Sequence, residues 1–205
     1  MTVPTTFPPS VQRARTLVRP RPEASLGLFD WARVVGRVVE VSEAGAFGAL
    51  SALVSLLVQV QARGEQIVWV EAGTSIFYAP DLAFRGLDVG ALTVVGVPDP
   101  LASLQAADSL LRSGAFGLVV IDGPGVRVDE AALGRLARLA EDRQTAVVFL
   151  TRKRPDEASL ATQVSLRGVV TLGPGLETSW EVTKDKRSGP AFPQRTRFDG
   201  PFGLY

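Results

Sequence analysis

Five short runs of β-branched and aliphatic residues recur along the chain: Arg37–Val41 (RVVEV), Ile67–Val70 (IVWV), Leu92–Val97 (LTVVGV), Leu118–Ile121 (LVVI) and Ala146–Leu150 (AVVFL). They read as nearly continuous apolar stretches rather than as alternating ones, the mark of strands covered on both faces. Helical patterns lie between them. Over Glu43–Arg63, Leu50, Leu53, Val54, Leu57, Val58 and Gln61 keep the 3.6-residue period, and Gly64 is a C-terminal stop. Phe77–Arg85 predicts a short helix closed by Gly86. Asp99-Pro100 opens a helix to Arg112, with proline at the first helical position. Asp129–Asp142 is amphipathic, with Asp129 as N-cap. Strand followed by helix, repeated, predicts an α/β fold: a mainly parallel, twisted sheet with helices on both faces. After about residue 165 the pattern changes. Ser165–Leu172 and Ser179–Lys184 flank Gly173-Pro174-Gly175, a hairpin signal that adds antiparallel strands at one edge. There is no internal repeat.

The chain of 205 residues fits a single domain over 26–205, preceded by an extended arm over 1–25 rich in Pro, Arg and Thr. The arm has no apolar core of signal-peptide type. The longest apolar stretch, Ala44–Val60, is interrupted by Gly45, Gly48, Ser51, Ser55 and Gln59 and does not suit a membrane span. A cytoplasmic location is expected. The chain holds neither cysteine nor histidine, which removes disulfides, thiol chemistry, Cys/His zinc sites and every imidazole base. Net charge is +1, with basic clusters at Arg13–Arg21, at Arg152-Lys153-Arg154, and at Lys184, Lys186, Arg187, Arg195 and Arg197.

Open parallel sheets bind ligands at the carboxyl ends of their strands. Two positions there carry candidate chemistry: the turn after Val41 and Asp122 after LVVI. Asp122 has two readings, a Mg²⁺ holder beside a phosphate loop or a capping residue before Gly123-Pro124-Gly125. The turn VEVSEAGAFGALS stands where a phosphate-binding loop sits in many nucleotide-binding proteins. Set against G-x-x-x-x-G-K-[ST], Glu43 takes the first glycine's place and Gly48 the second's, while Ala49 replaces the lysine and Leu50 the hydroxyl. A phosphate cradle needs a cation for the outer phosphates and a hydroxyl for the metal. Both are missing, and Glu43 adds a negative charge where phosphates would lie. Losing charge-assisted bonds of roughly 1.5–3 kcal/mol each weakens binding by orders of magnitude. Tight binding of ATP or Mg²⁺ is therefore not expected, and the turn reads as a small-residue turn kept for packing.

Several segments, in order and at near-matching spacing, resemble the RecA family of recombination ATPases. Gly36–Val41 resembles the strand before the Walker A loop, and Val68–Ala72 the strand after it. Tyr78–Val97 resembles the next helix–loop–strand. Leu110–Asp122 (LLRSGAFGLVVID) resembles the segment that carries Walker B, and Val182–Pro190 resembles a lysine-bearing strand and loop near the end of the core. The resemblance covers 36–190. It implies a RecA-like core whose catalytic set is depleted: the Walker A positions are Ala49 and Leu50, the catalytic glutamate position is Gly73, and only Asp122 remains of Walker B, with Gly123 after it.

The resemblance further implies no enzyme activity and a likeness to the ImuA/SulA-like proteins of SOS mutagenesis cassettes. Their role would be that of a non-catalytic adaptor in the DNA-damage response and translesion synthesis, binding RecA, an ImuB-type Y-family polymerase homologue, or both. Lys184, Lys186 and Arg187 would be the partner-binding residues, since the matching lysines lie in a strand that faces a neighbouring subunit. The alternative for the lysines is protection of an edge strand. Arg152, Lys153 and Arg154 are candidate, weak DNA contacts, or a solvated basic surface. A weak ATP-binding, DNA-associated ATPase and a SulA-type division inhibitor are the rival functions.

Overall fold

The computed structural model describes residues 30–43, 48–72, 82–83, 85–123, 128–172, 177–188 and 194–197. The 1–25 arm, Gly73, most of the expected helix over 77–85 and the Gly173-Pro174-Gly175 turn lie outside them.

The elements run α1 (Trp31–Val34), β1 (Val38–Glu43), α2 (Gly48–Ala62), β2 (Ile67–Ala72), a 3₁₀ turn (Val89–Ala91), β3 (Leu92–Val97), α3 (Pro100–Ser113), β4 (Leu118–Asp122), α4 (Glu130–Arg143), β5 (Ala146–Thr151), β6 (Leu166–Leu172), β7 (Glu177–Asp185) and β8 (Gln194–Arg197). They form one sheet of eight strands in the order β3-β2-β4-β5-β1-β6-β7-β8. The first six of that order are parallel, and β7 and β8 are antiparallel. This is the α/β architecture expected, with a mainly parallel sheet and antiparallel strands at one edge.

β1, β2, β4 and β5 sort their side chains between two cores, because successive residues point to opposite faces. Val39, Val41, Trp69, Val120, Val148 and Val170 pack with Leu53, Leu56, Leu57 and Val60 of α2. Val38, Val68, Val70, Val119, Ile121, Val147 and Phe149 pack with Leu104, Ala107 and Leu111 of α3 and Leu133, Leu136 and Ala140 of α4. Two apolar faces per strand are why the runs read as continuous in sequence.

The helix ends follow their caps. The Asp99 carboxylate accepts from the Ala102 N–H, and Pro100 fills the first turn. Gly114, at φ 68°, closes α3 in the left-handed conformation that glycine adopts without strain. Asp129 accepts from the Ala131 and Ala132 N–H groups at the start of α4.

Three expectations need correction. Glu43 belongs to β1, not to the following helix, which starts at Gly48. The β1 backbone keeps its register with β6 through Glu43↔Val170, so sheet pairing holds the residue extended. The run LTVVGV is not covered on both faces. It forms β3 at the sheet edge, where Thr93, Val94 and Gly96 are exposed. The basic stretch 184–187 is not one strand either: β7 ends at Asp185, and β8 pairs with its first residues, Glu177–Trp180. The short α1 and β8 carried no sequence signal strong enough to predict them.

β1 sits in the middle of the sheet, and a buried ion cluster holds its entry. The Arg37 guanidinium, 2 % exposed, lies 2.8 Å from Asp185 at the end of β7. It also donates to the Ser165 Oγ and backbone carbonyl and to the Arg33 carbonyl. Arg33 of α1 reaches the second Asp185 oxygen at 3.0 Å. Burial alone would raise the Asp185 carboxyl, but bonds from Arg37, the Arg187 N–H and Arg33 outweigh it and hold it down at about 2. One carboxylate thus ties α1, β1 and β7 together.

At the antiparallel edge, Gly168 allows a close approach. A Cβ there would overlap the Trp180 ring, beside the bulge between Arg167 and Gly168.

Two outcomes follow. A folded-state pKa near 2 against an ordinary 3.8 means that Asp185 stabilises the fold fully above pH 4. That contribution, about 2 kcal/mol, is lost as pH falls through the folded value, and Asp185→Asn should flatten this part of an acid-unfolding curve. Gly168→Ala should cost about 1–3 kcal/mol in urea denaturation, because Trp180 is packed in the core and has nowhere to move.

Candidate functional site

The carboxyl ends of the central parallel strands bring together Glu43 (β1), Asp122 (β4) and Thr151 with Arg152 (β5). They do so because β4, β5 and β1 are neighbours in the sheet, paired Asp122↔Leu150 and Ser42↔Thr151. Beside Asp122 in register stands Glu71 of β2. The helix that begins here is α2, whose first turn carries no acidic side chain of its own.

The two positions where a phosphate loop would carry lysine and hydroxyl face inward. Ala49 is 4 % exposed and belongs to the core under α2, and Leu50 packs against that core. Gly48 is the first residue of α2.

Glu43 turns its carboxylate toward the helix. The Ala49 N–H donates to it, and Arg152 Nε lies 3.4 Å from its Oε1. The side chain is 14 % exposed. Burial is the main force on its titration and pushes the carboxyl up. Arg152 and the Ala49 N–H pull the other way, the Asp122 charge adds to the rise, and the carboxyl stays above its ordinary value. A carboxylate bonded to a first-turn N–H occupies the end of the helix where negative charge is most favoured.

Behind this cluster lies a second one that the sequence reading missed. Glu40 of β1 is fully buried. Its Oε2 accepts from the Leu160 N–H at 2.7 Å and its Oε1 from the Thr151 hydroxyl at 3.0 Å. Lys153 Nζ stands 3.4 Å away and Arg167 Nε of β6 3.7 Å away. Arg167, also buried, donates to the Ser42 hydroxyl and to the Glu157 and Arg154 carbonyls. Glu40, Ser42, Thr151 and Arg167 thus form a polar layer on the sheet face, and the connection over 152–165 wraps over it. The signal was a lone carboxylate inside VVEVS and a lone guanidinium inside LRGVV. A charge at the centre of an apolar strand run needs a partner of opposite sign.

The basic residues singled out in the sequence fall on this connection and its neighbour. Arg152 pairs with Glu43, Lys153 with Glu40 and the Ala158 carbonyl, and Arg154 with Asp156 at 3.4 Å in a fully solvated pair. Each of the three cations therefore has a carboxylate within reach. Lys184 donates to the Ser159 hydroxyl and the Ala161 and Thr162 carbonyls, and Lys186 donates to the same Thr162 carbonyl at 2.6 Å. Burial lowers the Lys184 ammonium first, and the Lys186 and Arg167 charges lower it further. Among the described residues neither lysine has a carboxylate within ion-pair distance. Arg187 is exposed, and its N–H caps Asp185 at 3.0 Å. The structure thus brings Glu43, Ala49, Leu50, Asp122 and Arg152 to one place and Lys184 and Lys186 to another. Gly73 lies outside the described residues.

No helix among the described residues is long and apolar enough to cross a membrane. No family model matches the chain. The chain is similar to the RecA protein of Nocardioides sp., 31 % identical over 112 residues, covering 54 % of this chain and 31 % of that protein. RecA of Lactobacillus delbrueckii subsp. bulgaricus is 29 % identical over 113 residues, covering 54 % of this chain and 33 % of its own. RecA of Fusobacterium nucleatum is 28 % identical over 100 residues, 48 % of this chain and 26 % of its own. The matched segment spans about a third or less of these curated relatives' length. These similarities support a RecA-like family, in keeping with the α/β sheet described above.

Arg167→Met should cost about 3–5 kcal/mol, because it removes one of the two cations beside the buried Glu40 carboxylate and the bonds that tie Ser42 and the 152–165 connection to β6. Amide exchange at Leu160 should quicken with it, since that N–H is bonded to the same carboxylate.

Proposed function

We propose that the chain is a non-catalytic, RecA-like adaptor or modulator acting in the cytoplasm in the DNA-damage response and translesion synthesis. It works by binding a RecA protomer, an ImuB-type Y-family polymerase homologue, or both. One observation carries the reading. The places for the phosphate-binding cation and the metal-binding hydroxyl are held by Ala49 and Leu50, packed against the apolar core under α2. Phosphoryl transfer rests on positioned charge, and these two residues supply none. A RecA-like core without that charge keeps its surfaces, and surfaces suit it to protein contacts.

The partner-facing candidates are the exposed residues that follow β7. Lys186 and Arg187 are exposed, whereas Lys184 is bonded to the loop over 159–162. Reversing charge at Lys184 would set a carboxylate against carbonyl oxygens and disturb the loop. Lys186 bonds the same loop at the Thr162 carbonyl, so Arg187 is the cleaner probe.

The test has two arms. Titration of the purified protein with ATP and Mg²⁺ should show neither saturable binding nor phosphate release at millimolar nucleotide; turnover abolished by Asp122→Ala would overturn the non-catalytic reading. Surface-plasmon binding to purified RecA and to an ImuB-type polymerase homologue should detect a complex with at least one of them. The variant Arg187→Glu should weaken that complex at least about tenfold with an unchanged unfolding midpoint. An unchanged affinity removes this surface, and no complex with either protein removes the adaptor reading.

A further inference from the structure

We propose that β3 is a self-pairing edge: two copies of this chain associate by laying their β3 strands side by side, antiparallel, about a two-fold axis at Val94, so that two sheets become one. The contact goes beyond the adaptor reading, since it forms with no other protein present.

Three observations converge on it. The first is the strand's place. Among the described residues β3 has a single neighbour, β2, and keeps parallel register with it from Ile67↔Leu92 to Ala72↔Val97. The other side of such a strand offers a row of backbone donors and acceptors to a further strand. The second is the lack of protection. Edge strands are usually blunted by charged side chains, by proline or by a bulge. From Val89 to Pro98 the sequence holds no charge, and its proline comes only after β3 has ended. Asp88 and Asp99, which flank this stretch, turn their carboxylates back onto the Gly90 and Ala102 N–H groups. The strand at the opposite edge of the sheet, β8, has two arginines in four residues.

The third is exposed apolar surface. The large hydrophobic side chains left exposed among the described residues are Val94, at 42 %, and Leu101, at 66 %. Both belong to this margin of the sheet. Val94 stands level with Trp69, on the face that α2 covers. Leu101 lies in the first turn of α3, which covers the other face. A partner docked on one face would reach one of them, whereas a domain laid along the edge reaches both.

A second copy is the occupant that fits. The two-fold sets each residue opposite one from the same strand: Val94 opposite Val94, Thr93 opposite Val95, Leu92 opposite Gly96. No like charges meet, and β-branched pairs of this kind stabilise an antiparallel ladder. A net charge of +1 leaves little long-range repulsion between copies.

Sedimentation equilibrium of the full chain should show its mass rising from monomer to dimer between about 1 and 100 μM. Val94→Lys, which places a charge on the edge, should weaken the dimer at least about tenfold with an unchanged unfolding midpoint. Thr93→Lys, at an exposed neighbour on the other face, gives the same reading if Val94→Lys does not fold. Crosslinking fixes the geometry. The chain has no cysteine, so Val94→Cys and Arg187→Cys carry one thiol each. A short bismaleimide should join Val94→Cys into dimers at least about tenfold faster than Arg187→Cys, because pairing holds the two thiols together. A chain that stays monomeric throughout overturns the proposal, as does a dimer that survives both lysine variants. Equal crosslinking at the two positions also overturns it, since another segment would then be lying on β3.

Discussion

The buried carboxylate of Glu40 is the constraint around which the middle of the molecule is organised. A charge fully removed from water must be met by donors, or the strand that carries it does not fold. Glu40 lies on β1, between β5 and β6, and its donors come from both neighbours: Thr151 and Lys153 at the end of β5, and Arg167 on β6. Its other oxygen takes the Leu160 N–H, which draws the 152–165 connection down onto the sheet. On this face α3 and α4 cover β2, β4, β5 and the Val38 end of β1, while the 152–165 connection lies over the Glu40 end of β1 and over Arg167 of β6. The connection adds Ala161 and Val164 to the apolar core of this face, and the polar layer seals the rest.

The same logic explains the fate of the basic residues. Arg152, Lys153 and Arg154 look in sequence like a patch offered to solvent. In the fold Lys153 pairs with the carboxylate beneath it, Arg152 pairs with Glu43, and Arg154 keeps its charge at the surface beside Asp156. Lys184 and Lys186 meet the far side of the same loop through its carbonyls, so the sheet grips the connection from two directions. Cations that serve as internal donors are held in place, and their side chains no longer sample the orientations that a mobile, phosphate-seeking loop would use.

Much of the fold was legible because parallel strands and their helices leave strong periodic signals. LVVI and AVVFL fell within a residue or two of β4 and β5, and Asp129 and Asp99 were readable as caps because their carboxylates have a local job. The mismatched positions have specific causes. Glu43 sits at a strand–helix junction where propensity favours helix, and only pairing with β6 settles it as strand. LTVVGV has the composition of a covered strand, and nothing local says that it will lie at the sheet's edge. At the candidate site the missing lysine and hydroxyl were legible as Ala49 and Leu50. The contact of Glu43 with Arg152 was not, because it joins residues more than a hundred positions apart that only the β1–β5 pairing makes neighbours. Glu40 and Arg167 left a readable trace, a single charge within an apolar run, but partner choice across the sheet again required the strand order.

The Arg33–Arg37–Asp185 cluster has a geometric corollary for the two chain extensions. It fastens α1 to the lower end of β7, at the pole of the sheet where the parallel strands begin. β8 pairs antiparallel with the other end of β7, from Gln194 level with Trp180 to Arg197 level with Glu177, at the opposite pole where Glu43 and Asp122 lie. Residue 30 therefore stands toward one pole of the sheet and residue 197 at the other, so the first and last described residues are held apart by the full length of the strands.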